Sequence, residues 1–218
     1  MMRVILTGFE PTWGIKRSPS GELAKLWQNG SLRVNGVDVR AMYLPQIYGE
    51  SAQLVITEIQ AFQPNAVLMF GATQKNDPLR LERFAINAEK TPMGDNTRIP
   101  IEDRPVVRNG PAGYESTLPV KWLIENLNAC GVDSKASYHA GTHTCNSILY
   151  HILHWLATNE MPHPVVAGFV HIPFPNEFGV IEDALWSTAS FQGICMASLK
   201  LVEKLAEWYT TIQKDPSV

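Results

Sequence analysis

Cysteine is scarce in this chain and shows no pairing pattern. Three cysteines, at positions 130, 145 and 195, are spread over 218 residues. An odd and widely spaced set argues against a disulfide framework and points to a reducing compartment, the cytoplasm. No C-x-x-C or H-E-x-x-H spacing occurs. The usual sequence signatures of zinc are therefore missing, and the expectation is a protein without metal. Long apolar runs are missing as well. No segment approaches a membrane span, and the apolar run in "MMRVILTGFEP" is too short for a signal-peptide core. It reads as a first strand instead. Positive charge is not in excess: 18 Lys and Arg against 21 Asp and Glu give a net charge of −3. That excludes the basic footprint of a nucleic-acid binder. Internal repeats and low-complexity linkers are also lacking.

What remains, 45% hydrophobic and 18% charged residues, is the composition of an ordinary globular protein, long enough for one sizeable core. "RVILTGF" is β-branched and ends in glycine, which predicts a buried strand at about 3–7. "SGELAKLW" carries an N-cap signal and predicts a helix. "VDVRAMYL" reads as a second strand and "ESAQLVITEIQAF" as a helix with an apolar stripe. "NAVLMFG" has the fully apolar character of a parallel-sheet strand. Residues 88–113 carry Pro92, Pro100, Pro105 and Pro111 and predict a long loop of functional character. Beyond it come a helix at "PVKWLIENLNA", a short strand at "KASYHAG", a helix opening near Cys145, a strand at "PVVAGFVHIPF", and an amphipathic helix over roughly 181–212. Strands and helices that alternate predict one α/β domain over 1–218, with a largely parallel twisted sheet and helices on both faces.

"HAGTHTCNSILYHILHWL", from His139 to Leu156, holds four of the six histidines. Ile148, Leu149, Ile152, Leu153 and Leu156 make one apolar helical face, and Cys145 opens it. A cysteine there sits among unpaired backbone N–H groups and the positive end of the helix dipole, both of which favour a thiolate. The same position equally suits a small buried cysteine at the start of a core face. His151 and His154 follow Cys145 by six and nine residues. At about 100° per residue they fall on the far side of the helix, where they read as solvated residues rather than partners in a metal site. His171 lies where an apolar strand ends, the end at which open α/β sheets place their sites. It reads either as a core histidine or as the imidazole partner of Cys145. Spacing alone does not select a third, acidic member.

Six segments carry a resemblance over nearly the whole chain: "ILTGFEP", "LERFAIN", "GDN", "GPAGYESTLPVK", "YHAGTHTCNSILYHIL" and "GFVHIPF". In this order they resemble the pyrrolidone carboxyl peptidases, cysteine-type enzymes that remove N-terminal pyroglutamate from peptides. The resemblance implies a three-layer α/β/α sandwich, no cofactor, a cytoplasmic enzyme, and a homo-oligomer, a tetramer in many members. It implies Glu82, Cys145 and His171 as the catalytic residues and a peptide with a blocked N-terminus as the substrate.

The positions that would meet the substrate are Phe9, Thr12, Trp13, Ala72, His143 and Thr144. Several depart from the family's habit. Thr12 and His143 stand at aromatic positions, Trp13 replaces a glycine, "FGATQKND" replaces the usual glycine-rich text, and Pro92 stands where arginine is common. The expectation is a pocket that grips pyroglutamate less well, unless the indole of Trp13 compensates. Two other functions stay open: the same three residues acting on another small acyl or lactam-like substrate, and a non-catalytic homologue that binds.

Overall fold

The computed structural model describes residues 1–12, 14–73, 78–175, 178 and 190–214. Apolar β-branched runs form β1 (Met2–Phe9), β3 (Ala66–Thr73) and β10 (Val166–Pro173), the strands buried at the centre of a six-stranded sheet. The half-exposed β2 (Val37–Leu44) forms one edge and the short β9 (Ser134–Ser137) the other. Between β10 and β9 lies β4 (Leu79–Glu82), a strand the sequence analysis does not anticipate. The order is β2-β1-β3-β10-β4-β9. All neighbours are parallel except β10 and β4, whose antiparallel register pairs His171 with Arg80 and Val170 with Leu81.

Alternation along each strand sends side chains to two cores. Val4, Leu6, Leu68, Phe70, Val170 and Ile172 face α1 (Pro19–Gln28), α3 (Val120–Ala129) and α5 (Phe191–Lys214). Ile5, Phe9, Val67, Met69 and Phe169 face α2 (Glu50–Phe62) and α4 (Thr144–Thr158). The sheet is thus covered on both faces, as expected for an α/β/α sandwich. His171 shares parity with Phe169, and Glu82 lies opposite in parity to the core residues Leu79 and Leu81. Both side chains therefore belong to the face that α4 covers.

Local signals set the helix starts. Ser18 caps α1 by accepting a hydrogen bond from Gly21 N–H at 3.2 Å, with Pro19 in the first turn. The helix then lies unusually close to β1. A Cβ at Gly8 would sit 1.9 Å from the Ser20 carbonyl oxygen, and one at Gly21 would sit 2.3 Å from that of Phe9. Two glycines are what let strand and helix backbones touch here.

Two expectations change in detail, and a third falls outside the described residues. The stretch 88–113 is not a continuous loop: β6 (Glu89–Thr91) pairs antiparallel with β7 (Ile101–Arg104), and β8 (Gly113–Glu115) pairs with β5 (Phe84–Ile86). Prolines deny it a helix but leave short strands possible. The last helix is described from Phe191, so its expected start near 181 lies outside the described residues. Finally, His151 and His154 are half-buried rather than solvated. His154 Nδ1 meets the Tyr114 hydroxyl at 2.8 Å and its ring stacks on Tyr150, while His151 Nδ1 meets the Ser147 carbonyl at 2.9 Å. For His154 the cause is β8, which packs on that side of α4 and brings Tyr114 with it.

Candidate active site

The carboxyl ends of β1, β3 and β10 and the N-terminus of α4 surround a cavity of about 460 Å³. Cys145 and His171 both line it. Cys145 is the second residue of α4, whose N-cap, His143, makes no side-chain capping bond. The N–H groups of the first turn are thus not capped by His143, and they lie beside the thiol. Asn146 fixes this turn in space. Its amide accepts from Ile86 N–H at 2.9 Å and donates to the carbonyls of Ile86 and Ala88 at 2.9 and 3.0 Å. The segment so gripped begins four residues after Glu82, which ties the start of α4 to the end of β4.

Glu82 and His171 form the buried half of the site. They are 1% and 6% exposed, and His171 Nδ1 lies 2.7 Å from Glu82 Oε1. The second carboxylate oxygen, Oε2, has no hydrogen-bond partner among the described residues. Glu82 therefore depends on His171 for its stabilisation. The imidazole also packs against Phe169, ring centroids 4.8 Å apart, and Phe169 stacks in turn on Phe9. Burial alone would push the His171 pKa down. The Cys145 thiol, hydrogen-bonded to the ring and favouring its cation as a thiolate, outweighs that together with the Glu82 carboxylate, and the pKa stands at about 9. An imidazolium stabilised from both sides can hold a thiolate and donate a proton to a leaving group, and the neutral imidazole that results can take one from water.

Gly71 makes room for this pair. A Cβ there would sit 2.7 Å from the Phe169 ring and 3.1 Å from Cys145 Sγ. Gly71→Ala is expected to cost about 1–3 kcal/mol through overpacking, a drop of roughly 2–12 °C in Tm for a chain of this size. It is also expected to slow alkylation of Cys145. Thermal denaturation and timed iodoacetamide labelling check both, and an unchanged Cys145 rate would refute the close fit.

The other residues singled out by sequence take different places. Phe9, Thr12, Ala72 and His143 line the cavity. Thr144 is buried behind the wall, its hydroxyl between Gln46 Nε2 at 3.2 Å and His143 Nδ1 at 3.0 Å. Trp13 lies outside the described residues. Pro92 is exposed and away from the cavity lining. Burial lowers the His143 pKa, against the opposing pull of the Gly94 carbonyl and Asp95. Gln46, Gly71, Arg80 and Phe174 also line the cavity and were not singled out by sequence. Phe174 had a signal, since it closes the "HIPF" that follows β10. Gln46 had none, because nothing near it in sequence is chemical.

The three cysteines differ in setting. Cys130 is exposed, and burial raises the pKa of Cys195. Only Cys145 combines a helix N-terminus with an imidazolium. Limited iodoacetamide treatment near pH 6, mapped by mass spectrometry, is expected to mark Cys145 first. Preferential labelling at Cys130 or Cys195 would overturn this order. Among the described residues no group of three or more His, Cys, Asp or Glu is placed to hold a metal ion, and no helix is long and apolar enough to cross a membrane.

A buried carboxylate, an imidazole and a thiol at the carboxyl end of an α/β sheet are the groups that covalent acyl transfer requires. Comparison with known proteins narrows that chemistry. The model of the pyroglutamyl peptidase family matches residues 2–200. The pyrrolidone-carboxylate peptidase of Yersinia pestis (strain Pestoides F) is 36% identical over 180 residues, which cover 83% of this chain and 82% of that one. Pyroglutamyl peptidase I of Bacillus amyloliquefaciens superposes with a TM-score of 0.86 at 26% identity, covering 95% of this chain and 98% of that one. A mutant pyrrolidone carboxyl peptidase from the hyperthermophile Pyrococcus furiosus gives a TM-score of 0.85 at 28% identity, covering 94% and 99%. The chain belongs to the pyroglutamyl peptidase family.

Proposed function

We propose that this protein removes pyroglutamate from the N-terminus of peptides, with Cys145 as nucleophile, His171 as acid and base, and Glu82 as the residue that orients the imidazole. The reading rests above all on one observation: the buried 2.7 Å contact of Glu82 with His171 opens onto the same cavity as Cys145. Membership of the family supplies the substrate class.

The steps follow from the geometry. Cys145 sulfur, as thiolate, attacks the carbonyl carbon that joins the lactam residue to the next residue. The carbonyl oxygen becomes an oxyanion, received by N–H groups at the start of α4. His171 gives its proton to the departing nitrogen, the C–N bond breaks, and a thioester remains. Water then attacks the thioester while His171 takes its proton. The C–S bond breaks and free pyroglutamate leaves. Glu82 holds Nδ1–H throughout, so Nε2 is the nitrogen that exchanges protons. These steps call for no cofactor.

The cavity suits a small flat ring. Phe9 and Phe174 supply aromatic walls, while Thr12 and His143 stand where the family habit is aromatic. That last feature supports a second reading, in which the same centre serves another small acyl or lactam-like substrate. Intact reactive residues argue against a purely binding homologue. We further take 1–218 as a single hydrolytic domain that works in the cytoplasm as a homo-oligomer, a tetramer by family resemblance. Three free cysteines suit that compartment. Hydrolysis of a pyroglutamyl fluorogenic amide by the purified protein tests the main reading. No turnover, with Cys145 still readily alkylated, would favour the second.

A further inference from the structure

We propose that Gln46 is a specificity-determining residue, whose side-chain oxygen accepts the ring N–H of the lactam substrate. The proposal rests on the pyroglutamyl reading and assigns the group that distinguishes a lactam from other five-membered rings.

Gln46 lies between β2 and α2, on the wall of the cavity that also holds Phe9 and Cys145. Its backbone is pinned on both sides. The Gln46 N–H donates to Glu10 Oε1 at 3.0 Å, and its carbonyl accepts from Asn96 N–H at 3.1 Å. The Asn96 side chain closes the triangle by donating to the same Glu10 oxygen at 2.7 Å. Glu10 thus joins the end of β1, the Gln46 segment and the Asn96 segment, and the Gln46 side chain leaves from a fixed point. Preorganisation of this kind is what lets one hydrogen bond discriminate.

The side-chain amide has a defined direction. Nε2 donates to Thr144 Oγ1 at 3.2 Å, and Thr144 is the residue before Cys145. Thr144 has one proton to give, and His143 Nδ1 stands 3.0 Å from its oxygen. Burial favours the neutral form of the His143 ring, and the Gly94 carbonyl accepts from its own N–H. Nδ1 is then left as an acceptor and takes the Thr144 proton. The relay runs one way, from Gln46 through Thr144 and His143 to Gly94. It holds Nε2 against Thr144 and leaves Oε1 as the end of the amide that a bound molecule can use.

A lactam ring offers one N–H donor on its edge and requires an acceptor for it once water is excluded. Two of the cavity hydroxyls already accept backbone hydrogen bonds: Ser20 Oγ from Phe9 N–H at 3.3 Å, and Ser18 Oγ from Gly21 N–H at 3.2 Å. Arginine has no acceptor, which removes Arg80 from this role. Gln46 supplies a preorganised amide oxygen, held through Thr144 to the nucleophile's own helical turn.

The test compares kcat/KM on a pyroglutamyl amide with that on its lactone analogue, in which ring oxygen replaces N–H. Wild type is expected to prefer the lactam by ~10- to 100-fold, the range for one well-placed buried hydrogen bond. Gln46→Leu is expected to lose that preference, while the rate of iodoacetamide labelling at Cys145 stays at the wild-type value. Gln46→Glu keeps an oxygen on the wall and is expected to retain the preference. A Gln46→Leu enzyme that falls equally on both rings, or keeps its lactam preference, overturns the proposal. So does a wild type that treats both rings alike. Lack of any pyroglutamyl hydrolysis by wild type would overturn the substrate reading first and is seen before any variant is made.

Discussion

Cys145→Ser is expected to lower kcat/KM on a pyroglutamyl amide by ~10⁴-fold or more, the scale on which removal of a covalent nucleophile is felt. The fold is expected to survive, with Tm within a few degrees of wild type, because serine nearly keeps the shape and Cys145 is only half-buried. A hydroxyl ionises far less readily than a thiol, so the contact between His171 and the substituted hydroxyl supports the imidazolium less. The His171 pKa, at about 9 in wild type, should therefore fall in the variant, because a main support of the imidazolium has gone. Proton NMR of the imidazole across a pH titration reads this separately from activity. Activity within ~10-fold of wild type would place the nucleophile elsewhere, and an unmoved His171 pKa would deny the coupling of the two groups.

His171→Ala is expected to do the largest damage to stability, about 3–5 kcal/mol, because it strands the buried charge of Glu82. For a chain of this size that is a fall of about 6–20 °C in Tm. Glu82 is 1% exposed and its Oε2 has no partner among the described residues, so nothing nearby takes over. Glu82→Gln is expected to be milder in stability, since an amide oxygen can still accept from Nδ1–H and no charge is stranded. Its rate is expected to fall by ~10²–10⁴-fold, as the imidazolium loses its counter-charge.

The difference between wild type and His171→Ala depends on pH in a set direction. Folding raises the His171 pKa from 6.5 to about 9. The stability contributed by its protonation is full below about 6.5 and is lost as pH rises through about 9. Urea denaturation at about pH 6 and about pH 9.5 should show the gap narrowing at the higher value. A gap that stays constant or widens would contradict the charged pair.

Much of the scaffold was legible because its elements obey simple periods. "RVILTGF", "NAVLMFG" and "PVVAGFVHIPF" are apolar on both faces, and both faces are buried. β4 was not legible for a physical reason. Its four residues, "LRLE", bury Leu79 and Leu81 on one face and turn Arg80 and Glu82 to the other. Such a strand reads as a polar surface turn unless the site it faces is known. The same applies to His154, assigned to solvent because the strand that covers it, β8, is only three residues long and follows a run of prolines. Cys145 and His171 could be picked out by position at a helix start and a strand end, whereas Glu82 came from resemblance alone. Gln46 stayed hidden because its partners, Glu10, Asn96 and Thr144, are 36, 50 and 98 residues away.

The place of β10 has a consequence for how the chain assembles. β3 and β4 follow each other closely in sequence, yet β10, made almost ninety residues later, lies between them. Until that segment is synthesised, the sheet has two facing edges whose amide groups have nothing to pair with, and both are open to misassociation. Joining them closes the longest-range contacts of the sheet, a step that loop-closure entropy makes slow. The same insertion carries His171 to Glu82. A nascent chain therefore holds its cysteine and its carboxylate for some time without the imidazole that links them. The cluster of thiol, imidazole and carboxylate comes together only in a molecule whose sheet is already complete, so its assembly serves as the last report on correct folding.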